Sequence, residues 1–344
     1  MDDKASVIIV NWNGKQYLEQ CLPSVLNQTY PHFEVILVDN GSTDGSVELV
    51  EHRFPNVIVV RNAENKGFAA GNNDGIRTAS GKYIATINND AVAAPNWLEE
   101  LINSIKHDDS MGMAASKMLF YDWPEVINST GISLDRAAIA WDRLGGQPSD
   151  RSEVTPVEIF GPCAGAALYK RAMIEDIGLF DEDFFMYLED VDLAWRGRLR
   201  GWRCIYVPTA EVRHIHSASS IEGSAFKNRL LGRNKVWTTI KNYPAPELYL
   251  YLPAILFYDL VSLPYTVLVR GNMATLQGRL EGFRRIGPAL RKRRAIQRRR
   301  RASSSELASV MDPLTNPLTL FKRYRHLGKL VRRRKPHPSD HTIA

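Results

Sequence analysis

Cysteine is scarce: three in 344 residues, Cys21, Cys163 and Cys204, odd in number and in no metal-ligand spacing. That speaks against a disulfide scaffold or a thiolate metal site and points to a reducing compartment. No GxGxxG follows the first apolar run, and no GxxxxGK followed by Ser or Thr occurs anywhere, so a dinucleotide fingerprint and a P-loop are both absent. Any bound phosphate is then expected to be neutralised by a metal and by Arg or Lys rather than by a glycine-cradled helix. The start, Met1-Asp2-Asp3-Lys4 before Val7-Ile8-Ile9-Val10, is too short for a signal-peptide core, so the chain is expected to start and stay in the cytosol. The longest apolar stretch, residues 248–269, is broken by Pro253, Asp259 and Pro264.

What is present is a globular composition, 44% apolar and 24% charged, long enough for one large or two modest domains. The net charge of +6 conceals a division. Residues 1–246 carry 24 Lys and Arg against 32 Asp and Glu, a balance of −8, and residues 247–344 carry 20 against 6, a balance of +14. An acidic front and a basic tail read as two objects with two tasks.

The front alternates short apolar runs with helical periodicity, the pattern of βαβ units around a parallel sheet. Strands are expected at 6–12, 33–40, 57–62, 83–90, 111–116, 165–170 and 203–208, with 121–157 a mixed insertion or hairpin. Three successive strands end in polar groups: Asn11-Trp12-Asn13-Gly14, Asp39-Asn40-Gly41-Ser42 and Asn88-Asn89-Asp90. Ligands of open α/β sheets sit beyond the carboxyl ends of the strands. A polar crevice there suits a base and a ribose, with Asp90 able to hold Mg²⁺ or Mn²⁺ beside phosphate oxygens.

A second concentration of charge follows the apolar run 184–188: Glu189, Asp190 and Asp192 place three carboxylates in four positions. Such residues cap helices, but beside an apolar wall a carboxyl is also raised towards neutral pH, as a proton acceptor requires.

In order, "VIIVNWNG", "LVDNGSTDGS", "NKGFAAGNN", "INNDA" and "FDEDFFMYLEDVDLAWR" resemble glycosyltransferase family 2, and within it the rhamnosyltransferase-like branch, over roughly residues 5 to 243. The resemblance implies the A-type glycosyltransferase fold, a mostly parallel twisted sheet flanked by helices. It implies a nucleotide-diphospho-sugar donor and inversion at the anomeric carbon. It makes Asp39 a base-binding residue, with Asn65, Gly67 and Asn72 lining the nucleotide pocket. Asn88-Asn89-Asp90 stands where the family usually carries Asp-x-Asp, so Asp90 is the expected metal ligand and the ion leans on the donor's diphosphate. A downstream His completes such sites; "VRHIHSASS" offers His214 and His216, and the spacing to Ser217-Ala218-Ser219 favours His214. Arg233-Asn234 matches an Arg-Asn pair of the branch, and a guanidinium suits a leaving diphosphate. Asp190 matches the general base, and Glu189 is expected to orient it or to bind the acceptor.

Residues 244–344 are expected to form an apolar and basic helical extension that associates with membranes and ends in a disordered "KPHPSDHTIA". The interrupted stretch 248–269 fits an in-plane or re-entrant segment better than a spanning one. The run 284–301 is basic and lacks aromatic side chains, which favours anionic lipid over nucleic acid. The expectation is a peripheral enzyme of cell-envelope polysaccharide synthesis on the cytoplasmic face of the membrane, moving rhamnose or another hexose to a hydroxyl of a lipid-linked glycan. The rival reading is a membrane-docked nucleotide-sugar-binding protein without transfer activity.

Overall fold

In the computed structural model, which describes residues 3–215, 224–264, 266–267 and 271–319, the apolar runs become strands. The first half alternates: β1 (Ala5–Asn11), α1 (Lys15–Leu26), β2 (Phe33–Asp39), α2 (Ser46–Arg53), β3 (Ile58–Arg61), α3 (Gly67–Thr78) and β4 (Tyr83–Ile87). Then come β5 (Ala91–Ala93), α4 (Trp97–Ile105), β6 (Met111–Phe120), β7 (Ile127–Ser129), β8 (Ile132–Leu134), β9 (Ala140–Asp142) and β10 (Val157–Glu158). The body closes with β11 (Ala166–Lys170), α5 (Arg171–Ile177), α6 (Glu189–Leu199) and β12 (Arg203–His214). The aperiodic stretch 121–157 holds β7, the β8–β9 hairpin and β10, which agrees with the mixed insertion expected there.

The main sheet runs β10-β12-β6-β11-β4-β1-β2-β3. Strands β3, β2, β1 and β4 are parallel neighbours, whereas β11 lies antiparallel between β4 and β6. Val7, Ile8 and Ile9 of β1 are all fully buried, as a strand covered on both faces requires. The consequence for function is geometric: β1, β2 and β4 point the same way, and register sets Asn11 directly beside Asp39.

Five helices follow: α7 (Ala225–Asn242), α8 (Ala245–Pro264), α9 (Ala274–Arg284), α10 (Ile286–Arg298) and α11 (Ser304–Val310). They do not form the separate tail expected after residue 243. Ile255, Tyr258, Ala302, Leu307 and Met311 share one hydrophobic core with Ile8 and Trp195. The peptide N–H of Asp312 donates to Leu134 O at 2.8 Å, and that of Arg301 to Leu199 O at 2.8 Å. Helices α7 and α9 touch backbone to backbone. A Cβ on Gly278 would lie 2.0 Å from Arg229 O, one on Gly232 2.6 Å from Thr275 O, and one on Gly282 2.9 Å from Val236 Cβ.

Two features of the tail sequence acquire a physical reason. Asp259, the carboxylate interrupting the apolar run, meets Lys235 Nζ at 2.7 Å and an Arg279 nitrogen at 3.0 Å, so it faces α7 and α9. The basic run supplies the acidic front: Lys292 pairs with Asp181 and, at 2.6 Å, with Asp183, while Arg299 meets Asp176 at 3.0 Å. The two opposite charge balances therefore partly neutralise each other within one body. Other cations of the run, Arg291, Arg294 and Arg298, stay exposed at helical spacing on α10. Helix α8 also keeps an exposed apolar face, with Tyr249 73%, Leu256 57% and Leu260 72% accessible. Among the described residues no helix is long and apolar enough to cross a membrane. The end of the stretch 248–269, His216 with Ser217-Ala218-Ser219, and "KPHPSDHTIA" lie outside the described residues, wholly or in part.

Candidate active site

The strand ends form one hydrogen-bonded floor. Asn11 Nδ2 donates to Asp39 Oδ1 and to Ser42 Oγ, each at 3.2 Å, while Asn11 Oδ1 accepts from Asn89 Nδ2 at 2.8 Å. Asp39 Oδ2 accepts the Ser42 N–H at 2.9 Å. Asn11, Asp39 and Asn89 are thus brought together as the sequence suggested.

Asp90 and His214 also meet. His214 Nε2 lies 3.1 Å from Asp90 Oδ1 and receives Asn88 Nδ2–H at 3.1 Å; its Nδ1 lies 2.9 Å from Asn128 Oδ1. With Asn128 Oδ1 accepting, the ring proton is assigned to Nδ1, which leaves the Nε2 lone pair facing a carboxylate oxygen. Two electron-pair donors aimed at one another suit a divalent cation, and an imidazole with a carboxylate is a fitting set for Mn²⁺ or Mg²⁺. Among the described residues no group of three or more His, Cys, Asp and Glu side chains gathers; Asp90 and His214 stand as a pair. Asn88, in place of a first carboxylate, orients the imidazole. Asn128 carried no signal in the sequence, being one Asn in an aperiodic stretch.

Asn65, Gly67 and Asn72 divide. Asn40, at the end of β2, donates to Gly67 O at 3.0 Å and to Asn65 Oδ1 at 3.5 Å, which ties both residues to the crevice. Gly67 has φ +85°, and a Cβ there would stand 2.5 Å from Phe185 O. Its evident role is a close approach between α3 and the acidic turn, rather than a contact reserved for a nucleotide. Asn72 is buried and donates to Phe68 O at 2.9 Å, one turn back in its own helix, so it does not line the pocket as expected.

The acidic turn is strained. Phe185, Tyr187 and Leu188 all have left-handed φ, 64°, 70° and 64°, conformations that cost side-chain-bearing residues energy and persist only when neighbours hold them. Here Asn234 is the holder: fully buried, it aims Nδ2 at Phe184 O, Met186 O and Tyr187 O at 3.1, 2.9 and 2.8 Å. Arg233 assists, donating to Phe184 O at 2.8 Å and Asp183 O at 3.2 Å, with Nε on Asn234 Oδ1 at 2.9 Å. Its third nitrogen faces Glu281 at 3.5 Å. The diphosphate contact expected of Arg233 is therefore corrected: the guanidinium is occupied by the turn, because α7 runs behind it.

The turn delivers three carboxylates to three environments. Asp192 is fully buried against Arg196 Nε at 2.9 Å, Lys241 Nζ at 2.7 Å and Asn242 Nδ2 at 2.7 Å. Burial pushes its carboxyl up, but Lys241 and Arg196 outweigh that and hold it down at about 2. Asp192 fastens α6 to α7. Glu189 is buried, its Oε2 has no partner among the described residues, and burial together with the Asp190 charge pushes its carboxyl well above the usual range. Buried next to Asp190 in the chain, it is placed to influence that carboxylate. Asp190 is half-buried, accepting the N–H of Val191 at 2.8 Å and of Ala164 at 3.3 Å. Desolvation pushes it up to about 6, helped by Asp142 and resisted by the two N–H bonds. At neutral pH it is mostly ionised yet basic enough to take a proton.

A family model described as glycosyl transferase family 2 matches residues 6–178. An uncharacterized glycosyltransferase of Haemophilus influenzae is 33% identical over 107 residues, 30% of this chain and 33% of the relative. A poly-beta-1,6-N-acetyl-D-glucosamine synthase of Staphylococcus aureus is 28% identical over 205 residues, 59% of this chain and 48% of that protein. An N-acetylglucosaminyl-diphospho-decaprenol L-rhamnosyltransferase of Mycobacterium tuberculosis is 28% identical over 257 residues, 64% of this chain and 78% of its own. The chain thus spans 33% and 48% of the first two relatives' lengths. Among solved structures, GalNAc-T7 with UDP, GalNAc and Mn²⁺ has a TM-score of 0.56 at 20% identity, over 67% of this chain and 47% of that one. That likeness is one of fold, and the fold is the A-type glycosyltransferase architecture expected from the sequence.

Proposed function

The chain belongs to glycosyl transferase family 2, and from that membership we propose that it is an inverting transferase. It moves a hexose, rhamnose or a related sugar, from a nucleotide-diphospho-sugar to a hydroxyl of a lipid-linked glycan. The observation that carries this reading is Asp190, an ionisable carboxyl raised to about 6 by burial on a turn held from behind by Asn234. The acceptor hydroxyl attacks the anomeric carbon, and its proton passes to Asp190. The bond from that carbon to the diphosphate oxygen breaks, its electron pair leaving with the diphosphate. One base on the face opposite the leaving group yields inversion.

On the donor side, Asp39 and Asn11 bind the base and ribose, with Asn65 tied to the same edge through Asn40. Asp90 and His214 hold a divalent ion, which when bound supplies charge stabilisation to the departing diphosphate. Asn88 and Asn128 keep the imidazole tautomer fit for that purpose.

The acceptor class rests on the activity for which the M. tuberculosis relative is named and on the exposed apolar face of α8 with the arginine stripe of α10, which suits an anionic membrane surface. On this reading the protein is peripheral, on the cytoplasmic leaflet, in envelope polysaccharide synthesis, and it takes no nucleic acid. The test is turnover of a panel of nucleotide sugars with Mn²⁺ or Mg²⁺, with thermal shift as a parallel binding readout; a ligand at a hundred times its Kd adds about 2.7 kcal/mol. Binding without turnover on any lipid-linked or free glycan acceptor would favour a nucleotide-sugar-binding protein instead.

A further inference from the structure

The β8–β9 hairpin lies outside the motifs quoted above, yet it turns one carboxylate towards the transfer centre. Asp190 and Ala194 are one turn apart on α6 and share a side of it. Gly161 lies against that side, since a Cβ there would stand 2.3 Å from Ala194 Cβ. The N–H of Ile132 donates to Gly161 O at 2.8 Å, and Ile132 is in register with Asp142 across the hairpin. Paired residues of neighbouring strands project to the same face, so Asp142 faces α6 on the side that carries Asp190. The electrostatics agree: beyond burial, the Asp142 charge helps to raise both the Asp190 carboxyl and the Cys163 thiol.

The hairpin fixes that orientation. Arg143 turns the opposite way, as strand alternation requires, and is engaged by Thr130 Oγ1 and Glu153 Oε2, each at 3.0 Å. Leu144 is left-handed, φ 55°; the N–H of Gly145 donates to Asp142 O at 3.1 Å and that of Gln147 to Leu144 O at 3.0 Å. A Cβ on Gly145 would lie 3.1 Å from Asn128 O and 3.2 Å from Asp142 Cβ. Asn128 is the residue that fixes the His214 ring. Asp142 thus stands close to both halves of the centre, the base on α6 and the support of the metal pair. Its turn carries backbone strain of the kind that gathers at functional sites. Asp142 and Asp190 are each half-buried, so both keep a face open to a substrate.

An ionised carboxylate only accepts hydrogen bonds, and its two oxygens take several donors. An acceptor hydroxyl that delivers its proton to Asp190 carries the next hydroxyl of its ring towards Asp142. We propose that Asp142 is an acceptor-holding residue: it binds the hydroxyl adjacent to the nucleophile, so that with Asp190 it selects a pyranose presenting a vicinal diol. The bond to Asp142 fixes the ring's rotation and aims the attacking oxygen away from Asp190 towards the donor. The inference rests on the transferase reading for the source of the acceptor, and adds to it which hydroxyl pattern the centre admits.

The test is saturation-transfer NMR on the full chain, with UDP, dTDP or GDP and Mn²⁺ present, using the methyl glycosides of rhamnose, glucose, galactose and N-acetylglucosamine. The glycoside that binds best is then compared with its monodeoxy analogues. In the wild type, loss of either of two adjacent hydroxyls should weaken binding by about tenfold. The isosteric Asp142→Asn should weaken the parent glycoside equally, and should add nothing to the loss at one of those two positions, as directly coupled groups behave. In turnover the variant should raise the acceptor KM by about tenfold with the donor KM unchanged, and its thermal midpoint establishes that it is folded. No binding of any glycoside, critical hydroxyls that are not adjacent, effects of Asp142→Asn and deoxygenation that add at every position, or a raised donor KM would each overturn the proposal. The wild-type scan decides by itself if the variant does not fold. Absence of turnover with every donor would sink the transferase reading, while the glycoside scan still decides this one.

Discussion

Asn234 Nδ2 and Tyr187 O are 2.8 Å apart, and that bond joins a helix of the C-terminal region to the left-handed turn that presents Asp190. Without the amide, Met186 O and Tyr187 O lose its N–H, Phe184 O is left to Arg233, and the turn loses its main restraint. Asn234→Ala should lower kcat by about 10²-fold, the scale of a misplaced reacting group, with donor affinity nearly unchanged. Steady-state kinetics with thermal-shift binding check this; a selective loss of donor affinity with kcat intact would count against a positioning role.

Asp190 should set the acid limb of the pH profile. Its raised carboxyl must be ionised to take a proton, so kcat/KM should rise with pH up to about 6 and then level off. Asp190→Asn should lose about 10²–10⁴-fold in rate and abolish that limb. The same shift has an opposite effect on stability. A carboxyl raised on folding binds more protons folded than unfolded between about pH 4 and 6, so its contribution falls as pH rises through that window. The Asn variant should therefore melt higher than the wild type at pH 7, by scanning calorimetry.

Asp90→Ala and His214→Ala should each raise the Mn²⁺ concentration needed for half-maximal turnover. Asn128→Ala should do the same more weakly, by about 10-fold, since it acts through the imbalance of tautomers. His216→Ala should change little. Titrating metal against activity decides the matter: equal effects at both histidines, or metal-independent turnover, would refute the Asp90–His214 pair.

The membrane surface is best probed without truncation. A chain ending at Tyr243 would expose core side chains that otherwise meet Ile255, Tyr258 and Leu307, so it should aggregate rather than remain a soluble donor-binding domain. Leu256→Lys with Leu260→Lys, on the exposed face of α8, should keep the fold and donor binding but weaken co-sedimentation with anionic vesicles. Undiminished pelleting of the double variant would remove α8 as the contact.

Much of the body was legible because its signals are local. Buried strands such as β1 read as apolar runs, and the polar ends of β1, β2 and β4 gather because parallel neighbours share a direction. Asp90 and His214, expected from motifs 124 positions apart to share an ion, lie 3.1 Å apart in the structure. Arg233 was misread because sequence does not say which way a helix presents a guanidinium, and here backbone carbonyls of a strained turn took it. Asn128 and Asn40 were missed because a single amide acquires meaning only from what tertiary packing sets beside it. The tail was read as separate because its charge changes sign, yet Lys292 and Arg299 are the partners of Asp181, Asp183 and Asp176. Composition reports the sign of a charge and not its counterion.

The glycine seam between α7 and α9 bears on how this chain can be recombined. Gly232, Gly278 and Gly282 let two main chains pass at distances no side chain tolerates, so each helix is a mould for the other. A chimera that borrows the last hundred residues from a relative, joined after Tyr243, would bring a foreign α9 against the native α7 and push it away wherever a Cβ replaced glycine. Joined upstream of Ser224, the graft carries both halves of the mould. The exchangeable unit is therefore the whole helical block from α7 onward, and acceptor preference, if it resides there, should transfer only with that block.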